Sequence, residues 1–291
     1  MNAMIDEDEE FTSRELDLLH LKELPFRISA DSRFLYLTEG HQWALSRLEK
    51  SIRFREGLSV VEGPIGTGKT SMARRLMELC LQKQSLEPVY IHTPRYPTQL
   101  AALHAYSEAF RTKIRKTYVD QLKDFERTLI RLREGKKNPV LIIDDAQYMG
   151  PESLQPIQDF LNFDISSKMI QCVLFGQQEI HGNFARNPAL LDRVVFWHKL
   201  ASLSFGEMVR MIQFRLAIAG REKPMFNDSA LEELYRFSQG VPRPLIIVCN
   251  ETLHLLVDAG RDNADATDVN KAVEIYKARP PRMDYEQEAA L

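Results

Sequence analysis

The stretch Gly63-Pro-Ile-Gly-Thr-Gly-Lys-Thr70 has the spacing G-x-x-x-x-G-K-T of a phosphate-binding P-loop. The apolar residues 58–62 before it predict a buried strand, and residues 71–81 after it have helical spacing. A loop between a strand and a helix N-terminus presents backbone N–H groups and the positive end of the helix dipole to an anion. The sequence therefore predicts an α/β fold with a phosphate site at the end of this strand.

Each part of the P-loop has an expected role in binding ATP and Mg²⁺. The glycines allow close approach of the backbone, Lys69 is expected to reach the β- and γ-phosphates, and the Thr70 hydroxyl is expected to bind Mg²⁺. The predicted nucleotide contacts in this stretch are Gly63, Pro64, Ile65, Gly66, Thr67, Gly68, Lys69, Thr70 and Ser71.

A second apolar run, residues 140–143, ends in the acids Asp144 and Asp145. A continuous apolar run is typical of a strand covered on both faces of a parallel sheet, and ligands bind at the carboxyl ends of such strands. We expect Asp144 to hold Mg²⁺ through water and Asp145 to polarise the attacking water. Together with the P-loop, the two acids predict hydrolysis of ATP.

Composition excludes several other classes of protein. The 291 residues carry a net charge of −3, so the chain is not basic throughout, although a local basic surface is still compatible with it. The three cysteines lie in apolar runs and predict buried free thiols in a reducing, cytoplasmic compartment. The sequence has no apolar run long enough to span a bilayer, no spacing of its seven histidines that suggests a metal site, and no G-x-S-x-G motif. His92 and His198 are expected to be strand or turn residues.

The pattern of the chain changes near residue 200, where helical segments with clear start and stop signals begin. We expect an acidic flexible N-terminus over residues 1–24 and an α/β nucleotide-binding domain over 25–199. A small all-helical domain over 200–278 and a flexible tail over 279–291 are expected to follow.

Residues 111–137 form the most basic stretch, with ten Lys or Arg against four Asp or Glu. Two interpretations stay open. The stretch is either a solvated helix with i,i+4 ion pairs or a surface that contacts nucleic-acid phosphates. The candidates for such contacts are Arg95, Arg111, Lys113, Arg115 and Lys116.

Four features taken together resemble a known family over residues 21–277. They are the segment Lys22–Phe26 with Asp31, Phe34–Tyr36 and His41; the P-loop; the acids with Ala146 and Gln147; and residues 176–180 with Asn187, Pro188 and 191–194. The pattern resembles the AAA+ ATPases, and more closely the ExeA/GspA-like group with its transposition relatives TnsC, TniB and MuB.

The resemblance implies a parallel sheet flanked by helices and followed by a helical lid, and it implies three further site residues. Gln177 stands where a sensor-1 residue faces the γ-phosphate. Arg193 matches the arginine finger that enters a neighbouring subunit's site, with Arg186 as a rival. Arg243 matches the sensor-2 arginine of the lid. A finger acting between subunits implies a homo-oligomer.

One residue departs from the family pattern. Asp145 stands where the family has Glu, so the second carboxylate is one methylene shorter. Positioning of the attacking water is sensitive to such a displacement. We therefore predict intact binding of ATP and Mg²⁺ with slow hydrolysis.

The resemblance implies two classes of function. The first is an ATP-dependent regulator that assembles on double-stranded DNA as a ring or filament and links a target selector to a transposase. The second is an ATPase for secretion or pilus assembly that does not bind DNA. A nucleotide-dependent scaffold without nucleic acid is a third possibility.

Overall fold

The computed structural model describes residues 11–28, 31–163 and 167–279. The chain forms two compact units. One comprises residues 37–201, and the other combines the described residues up to 36 with residues 202–279. Within the described residues, no helix is both long enough and apolar enough to cross a bilayer.

The unit of residues 37–201 contains a five-stranded sheet. Its strands are β1 (Leu58–Glu62), β2 (Leu86–Ile91), β3 (Asn138–Ile143), β4 (Gln171–Gly176) and β5 (Val194–Lys199). They lie in the order β2-β3-β4-β1-β5, and every pairing is parallel. The carboxyl ends of β3, β4 and β1 are therefore neighbours, which brings the segments after these strands to one edge of the sheet.

Helices cover both faces of the sheet. In the part of the chain that the structure describes, the α-helices in chain order are α1 (Ser13–Leu18), α2 (Glu39–Phe54), α3 (Lys69–Leu81), α4 (Gln99–Ala109), α5 (Tyr118–Glu134), α6 (Pro151–Phe160), α7 (Ile180–Ala185), α8 (Pro188–Leu191), α9 (Phe205–Ile218), α10 (Asp228–Ser238), α11 (Pro242–Asp258) and α12 (Ala266–Lys277). Along β3, Val140 and Ile142 pack into the core with α2 and α3, whereas Leu141 and Ile143 pack into the core with α4, α5 and α6. The expected α/β fold with helices on both faces is confirmed.

The second unit is built from helices α1 and α9–α12 around its own core. The segment before the α/β unit belongs to this core: the rings of Phe26 and Phe226 lie 6.0 Å apart, and those of Phe11 and His254 lie 4.5 Å apart. Arg215 also donates a hydrogen bond to the carbonyl oxygen of Pro25 at 2.9 Å.

These contacts correct the expected domain boundaries. The sequence predicts that residues 25–36 belong to the α/β domain, but the described part of this segment lies in the helical unit. The sequence predicts a flexible N-terminus that includes residues 11–24, but Phe11, Leu19 and Leu21 are buried in the same core. The physical reason is that their apolar side chains find partners about 200 residues away in sequence, which local patterns do not reveal. The acidic residues 6–10 and the tail from 280 lie outside the described residues.

All three cysteines are free and buried: Cys80, Cys172 and Cys249. Burial raises the pKa of the Cys80 thiol to about 11 and that of Cys172 to about 12. The prediction of buried free thiols is confirmed.

Candidate nucleotide-binding site

The P-loop connects β1 to α3 at the carboxyl edge of the sheet. Gly68 is the N-cap of α3 with φ 94°, and no side chain caps this helix. A Cβ atom on Gly63 would lie 2.9 Å from the Thr67 hydroxyl oxygen and 3.1 Å from the carbonyl oxygen of Leu200. The loop therefore requires glycine at these positions, and the first turn of α3 can offer its N–H groups to a phosphate.

Lys69 is the first residue of α3 and is 8% exposed. Its Nζ donates hydrogen bonds to the carbonyl oxygens of Gly63 at 2.7 Å and Pro64 at 2.8 Å. Burial lowers the pKa of Lys69, and the negative charges of Asp144 and Asp145 oppose this effect. The ammonium group thus lies within the electrostatic field of both acids that follow β3. Thr70 is the next residue of the same turn and is half-buried.

Asp144 is buried at the end of β3 and is contacted from β2. The hydroxyl of Tyr90 donates to Asp144 Oδ2 at 2.9 Å, and burial together with this carboxylate raises the pKa of Tyr90. His92, which follows β2, places Nδ1 3.7 Å from Asp144 Oδ2 and Nε2 3.8 Å from Asp145 Oδ2. The two acids therefore share one histidine neighbour.

These three residues form a candidate metal site. One possible ligand atom from each of His92, Asp144 and Asp145 lies within 4.8 Å of the other two. Mg²⁺ is usually held by one or two carboxylates, with water and substrate phosphate oxygens filling its remaining positions. The two carboxylates beside the P-loop fit that requirement.

Asp145 has a left-handed backbone, with φ 52° and ψ 38°. Gln147 Nε2 donates to Asp145 Oδ1 at 3.1 Å, and Gln147 Oε1 accepts from the backbone N–H of Gln177 at 3.1 Å. Asn183 of α7 donates to the carbonyl oxygen of Gln147 at 3.2 Å. Gln147 therefore ties the second acid to the segment after β4, where the predicted sensor residue Gln177 lies.

The predicted arginines lie in different places. Arg193 precedes β5 and donates a hydrogen bond to the carbonyl oxygen of Gln158 at 3.1 Å. Arg186, its rival, is exposed at the end of α7. Arg243 is the second residue of α11 in the helical unit, so its contact with the phosphates stays a prediction.

The residues predicted to contact DNA lie in two different loops. Arg111, Lys113, Arg115 and Lys116 belong to the loop between α4 and α5. Arg95 lies in the loop after β2, with its guanidinium 3.8 Å from the centre of the Tyr148 ring. Arg95 thus belongs to the edge that carries the acids, next to the segment that follows β3.

Sequence reasoning missed Tyr90, His92 and the role of Gln147. Tyr90 and His92 reach the acids because β2 pairs with β3, with Ile91 opposite Ile143, and strand order cannot be read from these residues alone. The sequence pattern likewise assigns His41 no contact at the site. Its Nδ1 lies 2.7 Å from the Thr38 hydroxyl and its Nε2 lies 3.4 Å from the carbonyl oxygen of Thr67, so it buttresses the P-loop.

Residues 52–184 match the family model of the AAA domain. The matched range contains the P-loop, both acids, His92 and Gln177. The α/β unit therefore has the fold of an AAA+ P-loop NTPase domain.

Individual relatives extend the likeness beyond this domain. The chain is 31% identical over 245 residues to "General secretion pathway protein A" of Aeromonas hydrophila, a match that covers 80% of this chain and 43% of that protein. This chain thus spans less than half the length of that relative.

Two solved structures share the fold of the AAA+ domain and the helices that follow it. The ORC2 protein of Aeropyrum pernix, solved as ADPNP–ADP complexes, has a TM-score of 0.64 at 15% identity, covering 93% of this chain and 75% of that one. The ORC1 protein of the same organism, solved in complex with DNA, has a TM-score of 0.58 at 12% identity, covering 84% of this chain and 70% of that one.

Proposed function

We propose that this protein binds ATP with Mg²⁺ at the P-loop and hydrolyses it slowly. One observation carries the proposal: the buried Lys69, the uncapped start of α3 and the paired acids Asp144 and Asp145 occur together at one edge of the sheet. Lys69 and the N–H groups of α3 would hold the phosphates, and Thr70 and Asp144 would hold the metal. When bound, Mg²⁺ would neutralise the charge that develops on the phosphates, and Asp145 would orient the attacking water.

The test is nucleotide binding and phosphate release by the full chain. Lys69→Ala should abolish binding of a fluorescent ATP analogue, and Asp145→Ala should retain binding but lower the turnover number by about 10²- to 10⁴-fold. Lys50→Ala removes an exposed lysine from α2 and serves as the control. Hydrolysis that survives Lys69→Ala would contradict the proposal.

For the cellular role, the likeness to the secretion pathway protein favours an ATPase of the ExeA/GspA type that acts in secretion or pilus assembly. The supporting observation is the 31% identity over 80% of this chain. Co-purification of the full chain with secretion or pilus-assembly components, dependent on ATP, would test it. Its absence, together with ATP-dependent binding of DNA, would overturn it.

A second candidate is ATP-dependent binding of double-stranded DNA, of which a regulator of transposition would be one case. Two observations favour it: the basic loop between α4 and α5, and the shared fold with an ORC1 protein solved on DNA. The test is binding of a duplex without nucleotide, with ADP and with a non-hydrolysable ATP analogue, at low and moderate salt. Absence of binding in all three states would overturn this candidate. The link to a transposase and a target selector stays a prediction.

A further inference from the structure

An open cleft of about 380 Å³ lies between α5 and the loop that connects it to α4. Four of its lining side chains are cations: Lys113 and Arg115 from the loop, and Arg127 and Arg131 from α5. A single carboxylate, that of Asp124, lies among them. The cleft is therefore a concentrated positive site on a chain whose net charge is −3.

The loop is pinned to α5 by a set of hydrogen bonds. The buried Gln121 accepts from the backbone N–H of Arg115 at 2.6 Å and donates to the carbonyl oxygen of Lys113 at 3.3 Å. The Thr112 hydroxyl donates to the Thr128 hydroxyl at 3.0 Å. A ligand that binds here meets cations whose backbone is already fixed. Binding therefore costs little conformational entropy of the backbone.

The single carboxylate does not neutralise the cleft. Asp124 pairs with both Arg115 and Arg127, and the Arg115 guanidinium holds the pKa of Asp124 below its usual range. Asp124 thus offsets one of four positive charges. A guanidinium has five N–H donors, and the Arg127 side chain is 71% exposed. Both arginines keep donors for a second anion.

Helix geometry aligns the α5 arginines with the loop. Arg127 and Arg131 are four residues apart and lie on one face of α5, the face that carries Thr128 and receives Thr112. Arg131 also donates to the Thr128 hydroxyl at 2.9 Å, which orients its guanidinium toward the cleft. The basic stretch thus folds into one site, although its residues are spread over about 20 positions of the sequence.

We propose that this cleft binds the phosphodiester backbone of double-stranded DNA, with Arg127 and Arg131 completing the contacts of Lys113 and Arg115. The inference rests on the DNA-binding function proposed above and assigns its site. An open cleft with exposed cations suits a polymer that passes across it, whereas a free phosphate is usually enclosed by its donors. Contacts to the backbone give affinity and salt dependence with little sequence preference.

The experiment compares wild type with Arg127→Ala/Arg131→Ala in the full chain, using duplexes of two unrelated sequences across a salt series with the non-hydrolysable ATP analogue. The slope of log K against log salt should fall by about 1 for each phosphate contact removed, hence by about 2 in the double variant, equally on both sequences. Lys50→Ala/Lys271→Ala removes the same charge from exposed sites outside the basic stretch and should keep the wild-type slope.

Nucleotide binding and thermal unfolding verify that the cleft variant is folded. If wild type binds DNA and the cleft variant shows the same slope as the control, the cleft assignment is wrong while DNA binding stands. If wild type binds no DNA in any nucleotide state, both the function and the site are overturned. Binding of phosphatidylglycerol vesicles that depends on the cleft, without binding of DNA, would overturn the assignment to nucleic acid.

Discussion

Gln147 makes three hydrogen bonds that link the segments after β3 and β4. Its side chain contacts Asp145 and the backbone of Gln177, and its carbonyl oxygen accepts from Asn183. Asp145 carries a left-handed backbone, which costs energy for a residue other than glycine unless its surroundings hold it. Gln147 supplies part of that support, and it couples the position of the second acid to the segment of the predicted sensor.

We expect Gln147→Ala to lower the turnover number for ATP by about 10- to 100-fold with little change in KM, because a carboxylate displaced by about 1 Å positions water poorly. Phosphate release measures the first quantity, and nucleotide titration verifies the second. Combined with Asp145→Ala, the loss should be less than additive, as for residues that act together.

The matched control for this variant is Gln155→Ala. Gln155 makes a comparable amide-to-carboxylate bond to Asp159 within α6, at 3.0 Å. Equal losses of turnover in the two variants would mean that Gln147 has only a structural role.

The length of the Asp145 side chain is a second predicted determinant of the rate of ATP hydrolysis. We expect Asp145→Glu to raise the turnover number by about 10-fold or more, because the added methylene moves the carboxylate toward the water that it polarises. Nucleotide affinity should be unchanged, since binding depends on the P-loop. A variant no faster than wild type would show that Asp145 is not what slows hydrolysis.

At the scale of elements, two glycines with positive φ follow helices of the helical unit but meet different surroundings. Gly240, after α10, has φ 73°, and a Cβ there would lie 1.9 Å from the carbonyl oxygen of Leu203. Its own carbonyl oxygen accepts from the Leu203 N–H at 2.8 Å. Gly260, after α11, has φ 64°, and a Cβ there would have no atom within 4 Å.

Alanine substitutions at these two glycines distinguish the energetic cost of backbone strain from that of a steric clash. Gly260→Ala should lower the free energy of unfolding by about 1–2 kcal/mol, the cost of a left-handed alanine. Gly240→Ala adds a clash with backbone atoms and should cost on the order of 4 kcal/mol or more. Urea unfolding followed by circular dichroism measures both. Similar midpoints for the two variants would contradict the close approach at Gly240.

At the scale of the whole molecule, the predicted arginine finger would make ATP hydrolysis depend on a second subunit. Arg193 uses one of its five N–H donors on the carbonyl oxygen of Gln158, so donors remain for a phosphate of a neighbouring subunit. In GTPases a finger contributes about 10³- to 10⁵-fold in rate.

Mixing inactive variants tests this arrangement. Lys69→Ala subunits should not bind nucleotide but still carry Arg193, whereas Arg193→Ala subunits bind nucleotide but lack the finger. Each variant alone should be inactive, and the mixture should recover ATPase activity because hybrid interfaces combine both groups. Arg186→Ala should behave as wild type. If Arg186→Ala is inactive alone and gains activity when mixed with Lys69→Ala, while Arg193→Ala is active alone, the finger is Arg186.

Much of the α/β unit could be predicted because its signals are local. The P-loop spacing, the apolar run 140–143 and the acids after it lie within short stretches, and each depends on backbone geometry or strand burial that neighbouring residues determine. Tyr90 and His92 could not be placed, because their contact with Asp144 depends on the pairing of β2 with β3. Likewise, Phe11 and Phe26 gave no local sign that they pack into the helical unit.

The sequence by itself determined the P-loop, the paired acids and the alternation of strands and helices. The first two are motifs of consecutive residues, and strands and helices follow from the local spacing of apolar residues. Only the tertiary structure decided the strand order, the neighbours of the acids, the assignment of residues 11–28 and 31–36 to the helical unit, and the cleft of α5. These features depend on contacts between residues far apart in the chain, and such contacts are set by the packing of whole elements.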